Sequence, residues 1–137
     1  MITTFISTEP ISASSLGALV ASEAFGAVVT FSGNVRNIDQ DKEVISLTYE
    51  VHPSAEKILL KIVTDVVDKY ELGNVAAVHR YGAIALGESA FVVAVSAVHR
   101  GPAFLACSEL VDEVKVRLPI WKYQVFADGT KEWVNFA

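Results

Sequence analysis

Cysteine is almost absent: the 137 residues contain one, Cys107. No disulfide can close within the chain, and no set of thiolates exists to hold a structural zinc ion. A lone thiol fits a reducing, cytoplasmic setting. Basic residues are scarce as well. There are 11 Lys and Arg against 16 Asp and Glu, a net charge of -5, and the first of them is Arg36. The N-terminus therefore lacks the charged start of an export signal. So acidic a chain repels phosphate backbones, which argues against nucleic acid as a partner. Long apolar runs are missing: Ala90 to Val95 falls far short of the roughly 20 residues that cross a bilayer, so no membrane is expected. No linker, low-complexity stretch or solenoid-period repeat divides the sequence, and its length fits one domain, residues 1–137.

What is present is apolar. Hydrophobic residues make up 52% and charged residues 20%, enough for a sizeable core. Ile2 to Ile6 reads as a short strand, and Ser14 to Phe25 as a helix with Leu16, Leu19 and Val20 on one face and Gly26 as its stop. Ala27 to Ser32 reads as a buried strand and Glu43 to Val51 as another. Pro53-Ser54 opens the clearest helix: Ile58, Leu59, Ile62, Val63, Val66, Val67 and Tyr70 recur at three and four, and Gly73-Asn74 ends it. Val75 to Val78 and Phe91 to Val98 read as strands. Pro102 belongs in the first turn of a third helix that turns Phe104, Cys107, Leu110, Val111, Val114 and Leu118 inward, with Pro119 as its stop. Ile120 to Phe126 and Glu132 to Phe136 flank Asp128-Gly129, a hairpin signal. The sum predicts an α+β fold, a single domain with a largely antiparallel sheet packed with about three helices.

An anionic ligand would need a local basic cluster working against the global field, so the few cations are the residues to follow. Arg36, Arg80 and Arg100 each come after an apolar strand, two of them as His79-Arg80 and His99-Arg100. Loops at strand ends are where a scaffold presents functional groups, yet strand ends are also simply wet. Successive ends of antiparallel neighbours lie on opposite edges, so the three need not converge. Gly33-Asn34-Val35-Arg36 permits close backbone approach, with consecutive N–H groups as an anion nest beside a bidentate guanidinium. The plain alternative is an ordinary loop. His99-Arg100-Gly101-Pro102 leads into a helix N-terminus, whose free N–H groups and dipole suit an anion. There His99 could add a hydrogen bond or move a proton, or could be an ordinary satisfied histidine.

Lys115 lies between Val111, Val114 and Leu118 and so borders the buried face of its helix. Partial burial would lower its pKa and make it a base or nucleophile. A snorkelling Lys115 would instead pair with Asp112, one turn back. Lys122 follows Pro119-Ile120-Trp121, which fix its backbone; otherwise it is a strand lysine facing solvent. Cys107 reads as an inert core thiol. No metal-ligand spacing, Ser-His-Asp order or Gly-rich phosphate loop stands out. The residues alone thus reach an acidic α+β domain with a basic pocket for an anionic small molecule, holding neither metal nor cofactor.

The motifs also stand in a familiar order. They are G-A-V-V-T-F-S-G-N-V-R-N (Gly26 to Asn37), Tyr49-Glu50 with H-P-S-A-E-K (His52 to Lys57), H-R-Y-G (His79 to Gly82), Gly87-Glu88, V-S-A-V-H-R-G-P-A-F (Val95 to Phe104) and D-E-V-K-V-R-L-P-I-W-K (Asp112 to Lys122). Together, from about Gly26 to Trp133, they resemble the large, catalytic subunit of the molybdopterin synthase family. The resemblance implies a homodimer within a heterotetramer, each copy flanked by a small ubiquitin-like sulfur-carrier subunit with a C-terminal Gly-Gly thiocarboxylate. It implies cyclic pyranopterin monophosphate as substrate and two sulfur transfers that form the molybdopterin dithiolene. Carried over by position, Asn34, Val35, Arg36, His99 and Arg100 hold the phosphate and pterin. Lys115 is the central catalytic group, as base or transient covalent anchor, and Lys122 assists by stabilising developing negative charge. Tyr123 and Gln124 line the substrate but depart from the more charged residues expected there. The sequence given ends at Ala137 where family members often run further; if a longer tail normally lends a basic residue to the neighbouring subunit's pocket, that contribution is absent from it. The alternative from another class is a non-catalytic anion-binding or scaffold module on the same fold.

Overall fold

The apolar run Ala90 to Val95 becomes the inside of a strand buried along nearly its whole length, which is why apolar residues are not alternated with polar ones. That strand is β7 (Ser89–Ala97) in a computed structural model that describes residues 1–135. The other elements are β1 (Ile2–Ser7), α1 (Ala13–Val20), β2 (Ala27–Asn34), β3 (Ile38–Asp39), β4 (Lys42–Val51), α2 (Ala55–Val67), β5 (Val75–Arg80), β6 (Gly82–Ile84), α3 (Arg100–Arg117), β8 (Ile120–Phe126) and β9 (Lys131–Asn135). One sheet runs β1-β5-β7-β2, and a second runs β3-β4-β8-β9 with β6 also on β4. The α+β expectation holds, and the pairing is antiparallel throughout except between β1 and β5, which run parallel.

Helices cover both faces of the first sheet. On one side Leu59, Ile62 and Val63 of α2 and Leu110 and Val114 of α3 pack with Val75, Ala77, Val93 and Val95. On the other, Leu16 and Val20 of α1 pack with Ala76, Val78, Val92 and Ala94. Each large apolar side chain removed from water contributes roughly 1.5–3 kcal/mol. Ion pairs bind α2 and the turn after it to α3: Arg117 reaches Asp65 at 3.1 Å and Lys69 reaches Glu109 at 2.7 Å.

Three expectations are corrected. α1 stops at Val20 rather than running to Phe25, because Ala21 turns extended and Ser22 opens a turn, its Oγ accepting from Ala24 N at 3.1 Å. β2 is an edge strand whose residues alternate between half-buried and exposed, not a fully buried one. Phe104 is 60% exposed, while Ala103 and Ala106 take the inward positions beside Cys107. Phe136, placed in the last strand by its pattern, lies outside the described residues.

The turn after α3 sets up the site. Leu118, preceding Pro119, is forced to an extended ψ of 124° and ends the helix. β8 then starts at once and pairs with β4, setting Lys122 opposite Tyr49. The start of β8 is thereby held beside the last turns of α3.

Candidate functional site

A cavity of about 210 Å³ opens where these elements meet. β2 supplies Phe31, Gly33 and Asn34 and the following loop Arg36. Tyr49 comes from β4, His79 from β5, Ala90 and Phe91 from β7, Val114 and Lys115 from α3, and Ile120 and Lys122 from β8. Three cations and four aromatic rings thus share one cavity that no carboxylate lines. Space rather than a positive φ favours Gly33: a Cβ there would meet the Phe31 ring at 3.3 Å and press it aside by a few tenths of an ångström. A smaller lobe of about 60 Å³ shares Asn34, Arg36, Tyr49 and Lys122 and adds Asp39 and Gln124.

Lys115 and Lys122 have no ion pair among the described residues. Lys115 is exposed rather than half-buried, and it makes no pair with Asp112; Lys122 is half-buried. Arg36 lies 3.5 Å from Asp39, with its own side chain 77% exposed. Such a long, wet pair is weak, so the guanidinium is available to a stronger anion. Asp39 is otherwise engaged: its second oxygen accepts from Gln124 Nε2 at 2.6 Å. Gln124 is buried, and its amide nitrogen is committed to that bond. Tyr123 leans on Trp133, with ring centroids 4.8 Å apart, and does not line the cavity. Val35 is buried, and its N–H donates to Glu88 O at 2.9 Å, so the loop keeps that donor for its own closure and offers no open run of N–H groups.

Two uncharged groups line the cavity together with the cations. His79 is stacked on Phe91 and meets Tyr49 edge-on, and its Nδ1 lies 2.7 Å from Arg80 O. Burial pushes its pKa down to about 4, with the Lys115 charge acting in the same direction. Burial likewise pushes the Tyr49 phenol up to about 12. Both are neutral at physiological pH. Arg80, on the opposite face of β5, is buried against Glu88 at 3.0 Å and ties the end of β5 to the start of β7. Cys107 is buried outside the cavity, and burial pushes its thiol up to about 11.

His99 and Arg100 are not brought to this cavity. They are exposed at the other end of α3, where His99 occupies the N-cap position without capping any N–H. A cavity of about 100 Å³ there is lined by Glu71, Leu72, Val98, His99 and Pro102. Fifteen residues of α3 separate Arg100 from Lys115, about 22 Å at the helical rise. The sequence reading thus found Asn34, Arg36, Lys115 and Lys122 as cavity neighbours, and Gln124 in the smaller lobe. It missed Phe31, Tyr49, His79, Phe91 and Asp39; the pairing of Tyr49 and His79 with family landmarks was the available signal.

Comparison with known proteins gives the cavity a context. Residues 6–117 match the family described as MoaE protein. The molybdopterin synthase catalytic subunit of Aspergillus niger is 42% identical over 125 residues, covering 90% of this chain and 69% of that one. The rat protein of the same name is 39% identical over 116 residues, 84% of this chain and 58% of its own length. The chain therefore spans from a little under three-fifths to about seven-tenths of these relatives. The crystal structure of molybdopterin synthase from Staphylococcus aureus superposes with a TM-score of 0.87 at 32% identity, covering 95% of each chain.

Proposed function

Given that this chain belongs to the MoaE family, we propose that it is a sulfurtransferase of molybdenum cofactor biosynthesis. It would move sulfur from the thiocarboxylated C-terminus of a small ubiquitin-like carrier to cyclic pyranopterin monophosphate. The observation that carries this reading is the pair of lysines, Lys115 and Lys122, facing one aromatic-walled cavity with no acidic partner. Aromatic faces suit a flat heterocycle and free cations suit a phosphate and the charge that develops during acyl transfer. The buried thiol at Cys107 leaves the chain without a usable sulfur nucleophile, and a carrier that delivers activated sulfur removes the need for one. Lys115 acts as base or transient anchor, Lys122 and Arg36 hold negative charge, and the reducing cytoplasm is the setting in which a thiocarboxylate persists.

The site is completed by a second copy of the chain. α3 is apolar on its outer face as well: Phe104, Leu105 and Val116 are each at least 60% exposed. A two-fold axis crossing α3 near its middle would bury that face. It would also set the uncapped N-terminus of one copy, with His99 and Arg100, beside the Lys115 end of the other.

Single-turnover sulfur transfer tests the reading, with purified protein, thiocarboxylated carrier and cyclic pyranopterin monophosphate. Dithiolene product is expected from the wild type, and Lys115→Ala should lose it by a factor of about a hundred or more while still binding carrier. A folded, carrier-binding wild type that yields no product would leave a non-catalytic anion-binding scaffold as the better account.

A further inference from the structure

One member of the cavity wall has no part in that scheme. His79 is 3% exposed, a histidine that with Arg80 ends a strand begun by four Val and Ala residues. Its ring plane is fixed by the Phe91 stack, with centroids 5.3 Å apart and a 17° tilt, and by the edge contact of Tyr49 at 5.1 Å. Its tautomer is fixed too. Nδ1 lies 2.7 Å from Arg80 O, and a carbonyl oxygen can only accept, so Nδ1 carries the proton. In a neutral imidazole that leaves Nε2 as a bare lone pair.

That lone pair has no partner among the described residues. Among the described residues, the one fully enclosed side-chain polar atom without a partner is Arg80 Nε. Nε2 therefore touches open space, and the space that His79 lines is the cavity. The Tyr49 hydroxyl, on the adjoining wall and shared by both lobes, also has no protein partner. It stays protonated and can donate. An acceptor and a donor thus line the same aromatic-walled cavity, their rings 5.1 Å apart.

We propose that His79 is a substrate-reading residue: its Nε2 accepts a ring N–H of the heterocycle, with the Tyr49 hydroxyl as the neighbouring donor. The proposal rests on the sulfur-transfer reading for the identity of that heterocycle. It also sets the ligand's direction. A phosphate has nothing to donate to a lone pair, so the anionic end lies toward Arg36 and Lys122 and the N–H-bearing ring lies over His79. A buried acceptor left unmatched is costly, so an analogue that lacks the N–H is rejected more strongly than mere loss of contact would require.

Two measurements on the full chain with its carrier test this. In single-turnover kinetics, His79→Phe keeps the aromatic packing and deletes the acceptor. It should raise the half-saturating concentration of cyclic pyranopterin monophosphate about tenfold while changing the saturated rate by less than about threefold. His79→Gln, whose amide oxygen reaches near the Nε2 position, should recover most of that loss. An unchanged half-saturation in a folded His79→Phe overturns the proposal. So does an equal loss in both variants. The second measurement, on ¹⁵N-histidine wild type by NMR, needs neither a variant nor turnover. His79 Nε2 should resonate as an unprotonated acceptor at neutral pH and shift when the pterin is added. A protonated Nε2, or one indifferent to the pterin, overturns the proposal. The expected shift without any product would uphold His79 while overturning sulfur transfer, so the two ideas fail separately.

Discussion

At the scale of single residues, the cavity mixes groups with opposite demands: lysines that stay wet and a histidine kept dry. The dry one has a thermodynamic signature. An unfolded histidine takes up its proton near pH 6.5, whereas His79 in the fold waits until about 4. Between those values the unfolded state binds more protons, so stability falls as pH drops. The contribution is complete above pH 6.5 and is lost on the way down to about 4, amounting to about 3 kcal/mol. Urea unfolding of wild type and His79→Phe from neutral to mildly acidic pH should therefore converge, the variant losing less stability than the wild type. Parallel decline in the two would place the loss elsewhere. Which cations gather was legible in advance, because Arg36, Lys115 and Lys122 stand in motifs of fixed order. The role of His79 was not, because a His-Arg pair in a sequence reads as two basic groups. Only the β5 register, which sends the two side chains to opposite faces, separates an acceptor from a structural cation. Gln124 lies two residues beyond Lys122 on the same face of β8 and lines the smaller lobe with it, while its amide nitrogen donates to Asp39.

At the scale of elements, α3 governs most of the layout. Its inner face carries Ala103, Ala106, Cys107, Leu110 and Val114, and its outer face Phe104, Leu105 and Val116. A helix apolar on both sides has two coverings, and the chain provides one. Leu105→Glu should leave the monomer folded, with an unchanged circular dichroism spectrum, since Leu105 is exposed on a single chain. In the sedimentation profile it should convert dimer to monomer. A dimer that survives this charge would move the contact off α3. Helix periodicity gave α2 and α3 nearly whole, since each repeats its pattern over several turns. It overran α1, whose apolar spacing continues past Val20 while Ser22 takes the backbone into a turn. β3 and β6, of two and three residues, are too short for any alternation to register. The inward placement of Phe104 failed because residue type was read as burial, when an apolar residue serves equally well at a contact between copies.

At the scale of the whole molecule, the separation of Arg100 from Lys115 along α3 makes a sharp test of shared sites. Arg100→Ala and Lys115→Ala should each be inactive alone. Unfolded together, refolded and assayed with carrier, they should regain activity at about a quarter of the sites, because a mixed dimer holds one intact site and one doubly damaged site. Continued inactivity of a mixture that forms mixed dimers would confine the chemistry to single chains. The buried cysteine has a consequence at this scale as well. Cys107 is the sole thiol of the sequence, enclosed in the core of α3 and held protonated. A protein that handles activated sulfur would otherwise risk being captured by its own cargo as a persulfide or mixed disulfide. With its one thiol sealed away, this chain offers sulfur no resting place except the substrate. Its activity should accordingly follow the supply of loaded carrier and ignore swings in cellular oxidants.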